Sequence, residues 1–186
     1  MSEGDLTGQL LVATPEIGEG LFRRSVVLLL HHSDEGAQGL ILNRRLETEV
    51  GSILPDWGAV TVRDRHVYYG GPVGADSALG VGLLPVDAPP HHAVTRLYDE
   101  LGLVDLDADP ADLDILAGAV RVFVGYAGWS PGQLDEEIRS GSWYVVDRCD
   151  TDALTEAADD LWHDVLIRQP GPLALVANFP DDPSMN

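Results

Sequence analysis

The chain has 186 residues, 45% hydrophobic and 23% charged, a composition that suits one folded domain with a sizeable core. Its formal net charge is −20 and every basic residue is arginine, so its field repels nucleic acid and anionic membranes unless a local basic patch overrides it. The single cysteine, Cys149, excludes an intrachain disulfide and a cysteine-cluster metal site.

No apolar run approaches the ~18 residues that span a bilayer. The acidic, polar opening MSEGDLTGQ does not read as a secretory signal. These features point to a cytoplasmic protein in which Cys149 is a buried or idle thiol.

In chain order, Gly8 to Ala13 reads as a short strand broken by Pro15. A glycine-rich loop follows, with Phe22 plugging the core at its end. Ser25 to His31 (SVVLLLH) is a β-branched and aliphatic run, expected to be buried on both faces. HHSDEG supplies turn chemistry, and Gly39 to Asn43 returns as the second strand of a hairpin. Thr48 to Leu54 fits one or two helical turns ended by Pro55. Strands are expected at His66 to Tyr69 and Ala78 to Leu84, with the GGPVG turn between them.

Between Pro85 and Pro110 the pattern is ambiguous. Val94, Leu97, Tyr98 and Leu101 have helical spacing, whereas Leu101 to Leu106 favours a strand. Asp109-Pro110 predicts a capped helix to about Ala117. The clearest helical periodicity runs from Thr151 or Thr155 to Arg168. Leu173 to Phe179 reads as a last strand, and residues 180–186 as a polar tail. Strands outnumber helices and hairpins dominate, which predicts an α+β fold with a largely antiparallel sheet.

Val120 to Arg148 is the densest stretch. RVFVGY alternates as a strand, Ala127-Gly128-Trp129 reads as a turn, and Ser130-Pro131-Gly132-Gln133 fits a capping box with Pro131 at the first helical position. Leu134 and Ile138 lie one turn apart and face the core. Gly141 is placed to end the helix before the strand WYVVD.

Five segments, GQLLVATP, SVVLLLHHSDEGAQGLILNR, GGPVG, VFVGYAGWSPGQLDEEIRSGSWYVV and the Leu161-Trp162 helix, together resemble the YqgE/AlgH family of bacterial proteins, in that family's order. The resemblance covers most of residues 8–168. It implies a bifurcated, mostly antiparallel sheet curled into a pseudo-barrel with flanking helices, in one domain spanning 1–186. The family is largely uncharacterised, and one branch is named for a regulatory effect on alginate production. Arg45 departs from the family pattern, which usually has proline after Asn43-Arg44.

The residues carry several candidate chemistries. His32, with Asp34 and Glu35, could act as a base or hold a metal, but no H-x-H or H-x-x-x-H spacing supports a ligand set, and a structural role is expected. Asp135, Glu136 and Glu137 are about 100° apart on a helix and cannot converge unaided, so they read as a solvated face. GGPVG lacks the Lys-Ser/Thr of a phosphate loop, and no serine has a triad context.

Asn43, Tyr126, Trp129 and Gln133 could line a pocket or equally satisfy buried backbone groups. Arg23, Arg24, Arg44 and Arg45 form the only basic cluster, a weak candidate for an anion or nucleic-acid patch in a chain of pI near 4.3. No metal or cofactor is implied. The expected function is a non-enzymatic binding or regulatory role toward a protein or small ligand. A hydrolase or metal-assisted enzyme centred on His32 and a transcriptional regulator are the alternatives.

Overall fold

The computed structural model describes residues 4–61, 64–113 and 119–181. Ten strands form one curled sheet: β1 (Leu10–Ala13), β2 (Val26–Ser33), β3 (Gly36–Ile41), β4 (Arg45–Glu49), β5 (His66–Tyr69), β6 (Val73–Leu83), β7 (Val94–Tyr98), β8 (Leu101–Val104), β9 (Val120–Trp129) and β10 (Trp143–Val146). The main path is β10-β1-β2-β3-β9-β6-β8-β7, and β5 joins β4 to β9. Among the described residues four short helices flank it: α1 (Val50–Ile53), α2 (Gln133–Arg139), α3 (Leu161–Ile167) and α4 (Leu173–Val176). The architecture is the expected α+β fold, a curled and mostly antiparallel sheet with flanking helices.

The continuous apolar runs of β1 and β2 follow from burial on both faces. Leu10, Val12, Val26, Leu28, Leu40 and Leu42 point to one core, completed by Trp162, Val165 and Leu166 of α3. Leu11, Ala13, Val27, Leu29 and Ile41 point to the other, covered by Leu134 of α2 and by Phe22 and Ile17 of the β1–β2 loop. A third core packs Trp57, Val67, Val104 and Val122 beneath the second half of the sheet.

β9 is where the sheet divides. Its end, Ala127 to Trp129, pairs with Gly39 to Ala37 of β3. Its middle, Phe123 and Val124, pairs in parallel with Tyr68 and Tyr69 of β5. Its other edge runs along β6. The handover lies at Gly70, whose amide donates to the Val124 carbonyl (2.8 Å) while its own carbonyl accepts from the Ile41 amide (2.9 Å). Here the backbones nearly touch. A Cβ on Gly71 would lie 2.1 Å from the Tyr126 carbonyl carbon, and one on Gly125 would lie 2.2 Å from the Gly71 oxygen. Gly125 also has φ +67°, a conformation that favours glycine. GGPVG and GYAGW are therefore two sides of one crossing.

Several expectations are corrected. Ala127-Gly128-Trp129 is strand, held by β3. The helical spacing of Val94–Leu101 gives way to a hairpin of β7 and β8, with the favoured strand present at Leu101–Val104, because Leu101 pairs back to Tyr98 and to Leu83 of β6. The long helix after Thr151 is broken. Asp150–Leu154 and Ala158–Asp160 are tight 3-10 turns and only Leu161–Ile167 is α-helical. Thr155 is extended (φ −60°, ψ 138°), and its hydroxyl accepts the Ala157 amide at 3.1 Å, a local turn that competes with the helix. Leu173–Val176 is helix rather than strand. Pro110–Asp112 is one 3-10 turn capped by Asp109, and the expected continuation to Ala117 lies outside the described residues, as do residues 182–186 of the tail. Cys149 is exposed rather than buried.

Two cation–aromatic pairs hold polar groups away from solvent, one wholly buried and one partly. Arg121 is wholly enclosed, 4.0 Å over the Tyr68 ring and 3.4 Å from Asp64 Oδ2. Burial lowers its pKa, opposed by Tyr68 and Asp64. Tyr98 donates its hydroxyl to the Leu29 carbonyl under the Arg148 guanidinium.

Burial pushes the Tyr98 phenol from 10.0 up to about 12. The folded state thus holds this proton more tightly than the unfolded chain. The associated stability is complete below about pH 10 and is lost as pH rises from there through about 12. Melting temperatures followed across that window are expected to fall less steeply for Tyr98→Phe than for the parent. A residual slope is expected from Tyr68, whose phenol burial also pushes up.

Candidate functional site

The most built feature surrounds α2. Ser130-Pro131-Gly132-Gln133 is a type II turn: the Gln133 amide donates to the Ser130 carbonyl (3.0 Å), and Gly132 takes φ +75° at the third position. Gln133 Oε1 accepts the Ser130 amide at 3.0 Å, the reach-back expected of a capping box. The Ser130 hydroxyl donates to the same oxygen instead of capping a backbone amide, and Pro131 precedes the helix. At the other end Gly141 is left-handed. Its amide donates to Ile138, and the Ser142 amide donates to Glu137, the two bonds of a Schellman stop.

This short helix holds Glu137 between two tryptophans. Glu137 Oε2 accepts the indole N–H of Trp129 (2.9 Å) and of Trp143 (2.8 Å), and Oε1 accepts Gln133 Nε2 (2.9 Å). Phe22 closes the cluster, edge-on to Trp143 at 5.8 Å and 6.5 Å from Trp129. Beside them opens a cleft of about 430 Å³, walled by Ile17, Leu21, Phe22, Pro72 and Trp129, with Glu19 and Glu137 as its carboxylates. Among the described residues no cation is within ion-pairing distance of Glu137.

The acidic trio does not converge, as helical geometry requires, but neither is it a uniform solvated face. Asp135 faces His32 (3.3 Å), Glu136 pairs with Arg139, and Glu137 is enclosed by the indoles. Glu137 and Trp143 are the site residues that sequence reasoning missed. The i, i+4 spacing of Gln133 and Glu137 placed both on one face, and tryptophans bracketing a seven-residue helix were the available signal.

The other candidates separate. His32 is nearly enclosed, its Nδ1 accepting the Leu6 amide (3.2 Å) and its Nε2 facing Asp135. These bonds put the ring proton on Nε2 and tie the N-terminal segment to α2. Asp34 and Glu35 form the exposed tip of the β2–β3 hairpin, apart from that bond network. Among the described residues no group of three or more His, Cys, Asp or Glu side chains could hold a metal. Tyr126 packs into the first core while Trp129 packs into the second, because three residues along a strand reverse the face.

Asn43 is buried and lines a different cavity, together with Arg23, Arg24 and Arg44. Arg45 is an exposed residue of β4 outside that cavity.

Comparison with known proteins agrees with this architecture. The AlgH-like family model matches residues 10–174.

The chain belongs to the AlgH-like family.

A UPF0301 protein of Streptomyces coelicolor is 48% identical over 184 residues, covering 97% of this chain and 95% of the relative. A UPF0301 protein of Mycolicibacterium gilvum is 41% identical over 181 residues, covering 96% and 89%. The crystal structure of a Corynebacterium diphtheriae protein superposes with TM-score 0.87 at 37% identity, covering 96% of this chain and 94% of that one. The solution structure of AlgH from Pseudomonas aeruginosa shares the fold, with TM-score 0.69 at 22% identity and 97% of both chains covered. These family labels state no reaction. No helix among the described residues is long and apolar enough to cross a membrane.

Proposed function

We propose that this AlgH-like chain is a non-catalytic cytoplasmic binding protein whose α2 cleft receives a lysine or arginine side chain from a basic partner segment. The observation that carries this reading is Glu137, a carboxylate held by three neutral donors with no cationic partner among the described residues. Aromatic faces beside a carboxylate favour a cation. The net charge of −20 adds long-range attraction for a basic partner and works against nucleic acid. A reducing compartment suits a lone exposed thiol, and the reading takes residues 1–186 as one unit.

The test is a tryptophan-fluorescence titration with a short Lys/Arg-rich peptide. Saturable quenching is expected, weakened by added salt and by Glu19→Gln, which touches an exposed wall residue. A peptide with every lysine acetylated and every arginine replaced by glutamine should not bind. Equal binding of the two peptides would refute cation recognition. Turnover of a generic esterase, phosphatase or nuclease substrate that His32→Ala abolishes would favour the enzymatic alternative.

A further inference from the structure

The second cavity, about 470 Å³, has arginines on one wall and Asp159, Asp160 and His163 on the other. Its arginine wall is built with care. Arg24 is one of the few non-glycine residues at positive φ (+52°), a strained conformation that needs support and is enriched at functional sites. Asn43 supplies the support: its Nδ2 donates to the Arg24 carbonyl (2.9 Å) and its Oδ1 accepts the Val26 amide (3.0 Å). The Trp162 ring backs the Arg24 guanidinium at 4.3 Å. Arg44 reaches in from the connection between β3 and β4, donating to the carbonyls of Leu21 and Arg23. Burial and the nearby Arg23 cation both disfavour its charged form.

What meets this wall is the chain's own C-terminal segment. Asp181 Oδ1 lies 2.8 Å from Arg24 Nε and 3.9 Å from Arg23 Nη2. The Phe179 carbonyl accepts from Arg24, and the Asp181 carbonyl from Arg23. One carboxylate and two carbonyls thus present several oxygens to two guanidiniums, as a phosphate would. The hold is weak, since the Asp181 side chain is 78% exposed and exposed ion pairs are readily displaced.

We propose that Arg23, Arg24 and Arg44 form a binding site for a phosphorylated, hydroxyl-bearing small molecule, and that Asp181 occupies it as an internal competitor. The phosphate takes the oxygen positions of the tail, and the hydroxyls donate to Asp159 and Asp160. The same two carboxylates repel a polyanion, which disfavours a nucleic-acid strand at this cavity. This site is separate from the α2 cleft and takes ligand of opposite charge, so either reading can fail alone.

The test is calorimetric titration of the full chain with ribose 5-phosphate, inorganic phosphate and ribose. Asp181→Asn is expected to bind ribose 5-phosphate roughly two- to fivefold more tightly than the parent, the worth of an exposed ion pair. Inorganic phosphate should bind more weakly, and ribose not at all. Arg23→Gln, at a partly exposed position that leaves the core intact, should abolish the gain when combined with Asp181→Asn, with circular dichroism confirming the fold. Equal affinity of parent and Asp181→Asn would overturn the competitor role. Binding retained in Arg23→Gln/Arg24→Gln would overturn the site, and inorganic phosphate binding as tightly as the sugar phosphate would overturn the hydroxyl-bearing class.

Discussion

Gly71→Ala and Gly125→Ala are each expected to lower folding stability by about 4 kcal/mol, the sum of backbone strain and overpacking. Both residues combine a positive φ with a Cβ position about 2 Å from a facing backbone atom. Neither strand can retreat, because Gly70 binds β9 on one side and Ile41 on the other. Gly132→Ala is the control. It shares a positive φ (+75°) but faces open space, so only about 1 kcal/mol of conformational cost is expected. Urea unfolding of the three variants checks the contrast. Domains of this kind are stable by only about 5–15 kcal/mol, so the crossing-glycine variants should lose a large share of their stability and unfold at clearly lower urea, and Gly132→Ala should not.

Glu137→Ala should cost about 2–4 kcal/mol, because two almost fully buried indole N–H groups lose their acceptor. Glu137→Gln keeps one oxygen in place and should cost about 1 kcal/mol, the scale of a single net hydrogen bond. Near-ultraviolet circular dichroism should change with Glu137→Ala, since Trp143 packs edge-on to both Trp129 and Phe22 beside that carboxylate. A variant that unfolds with the parent's midpoint and spectrum would show that Glu137 is not the hub of this cluster.

Much of the frame was legible because local signals agreed. The β2–β3 hairpin followed from an apolar run and a turn, and the C-terminal end of α2 from Gly141. Where reading failed, tertiary partners had overridden local pattern. Ala127 to Trp129 looks like a turn because of its glycine, yet β3 holds it as strand. The periodicity after Thr151 is genuine, but the Thr155 turn interrupts it, and Asp152 is drawn instead to Arg168 (2.7 Å).

The candidate site was half visible. Trp129 was singled out, while Glu137 was hidden inside an acidic run whose three members have three different partners. Asn43 was read as a choice between pocket and backbone support; it gives that support from the wall of the arginine cavity. Such pairings depend on which loops meet, which spacing along one chain does not encode.

The α2 cleft is tested most directly by following the indole N–H resonances of the four tryptophans during titration with the Lys/Arg-rich peptide. Trp129 and Trp143 are expected to shift together and saturate, Trp57 and Trp162 to hold still, and the neutralised peptide to move none of them. Shifts confined to Trp57 or Trp162, or unchanged Trp129 and Trp143 resonances at saturating peptide, would contradict cation recognition in this cleft.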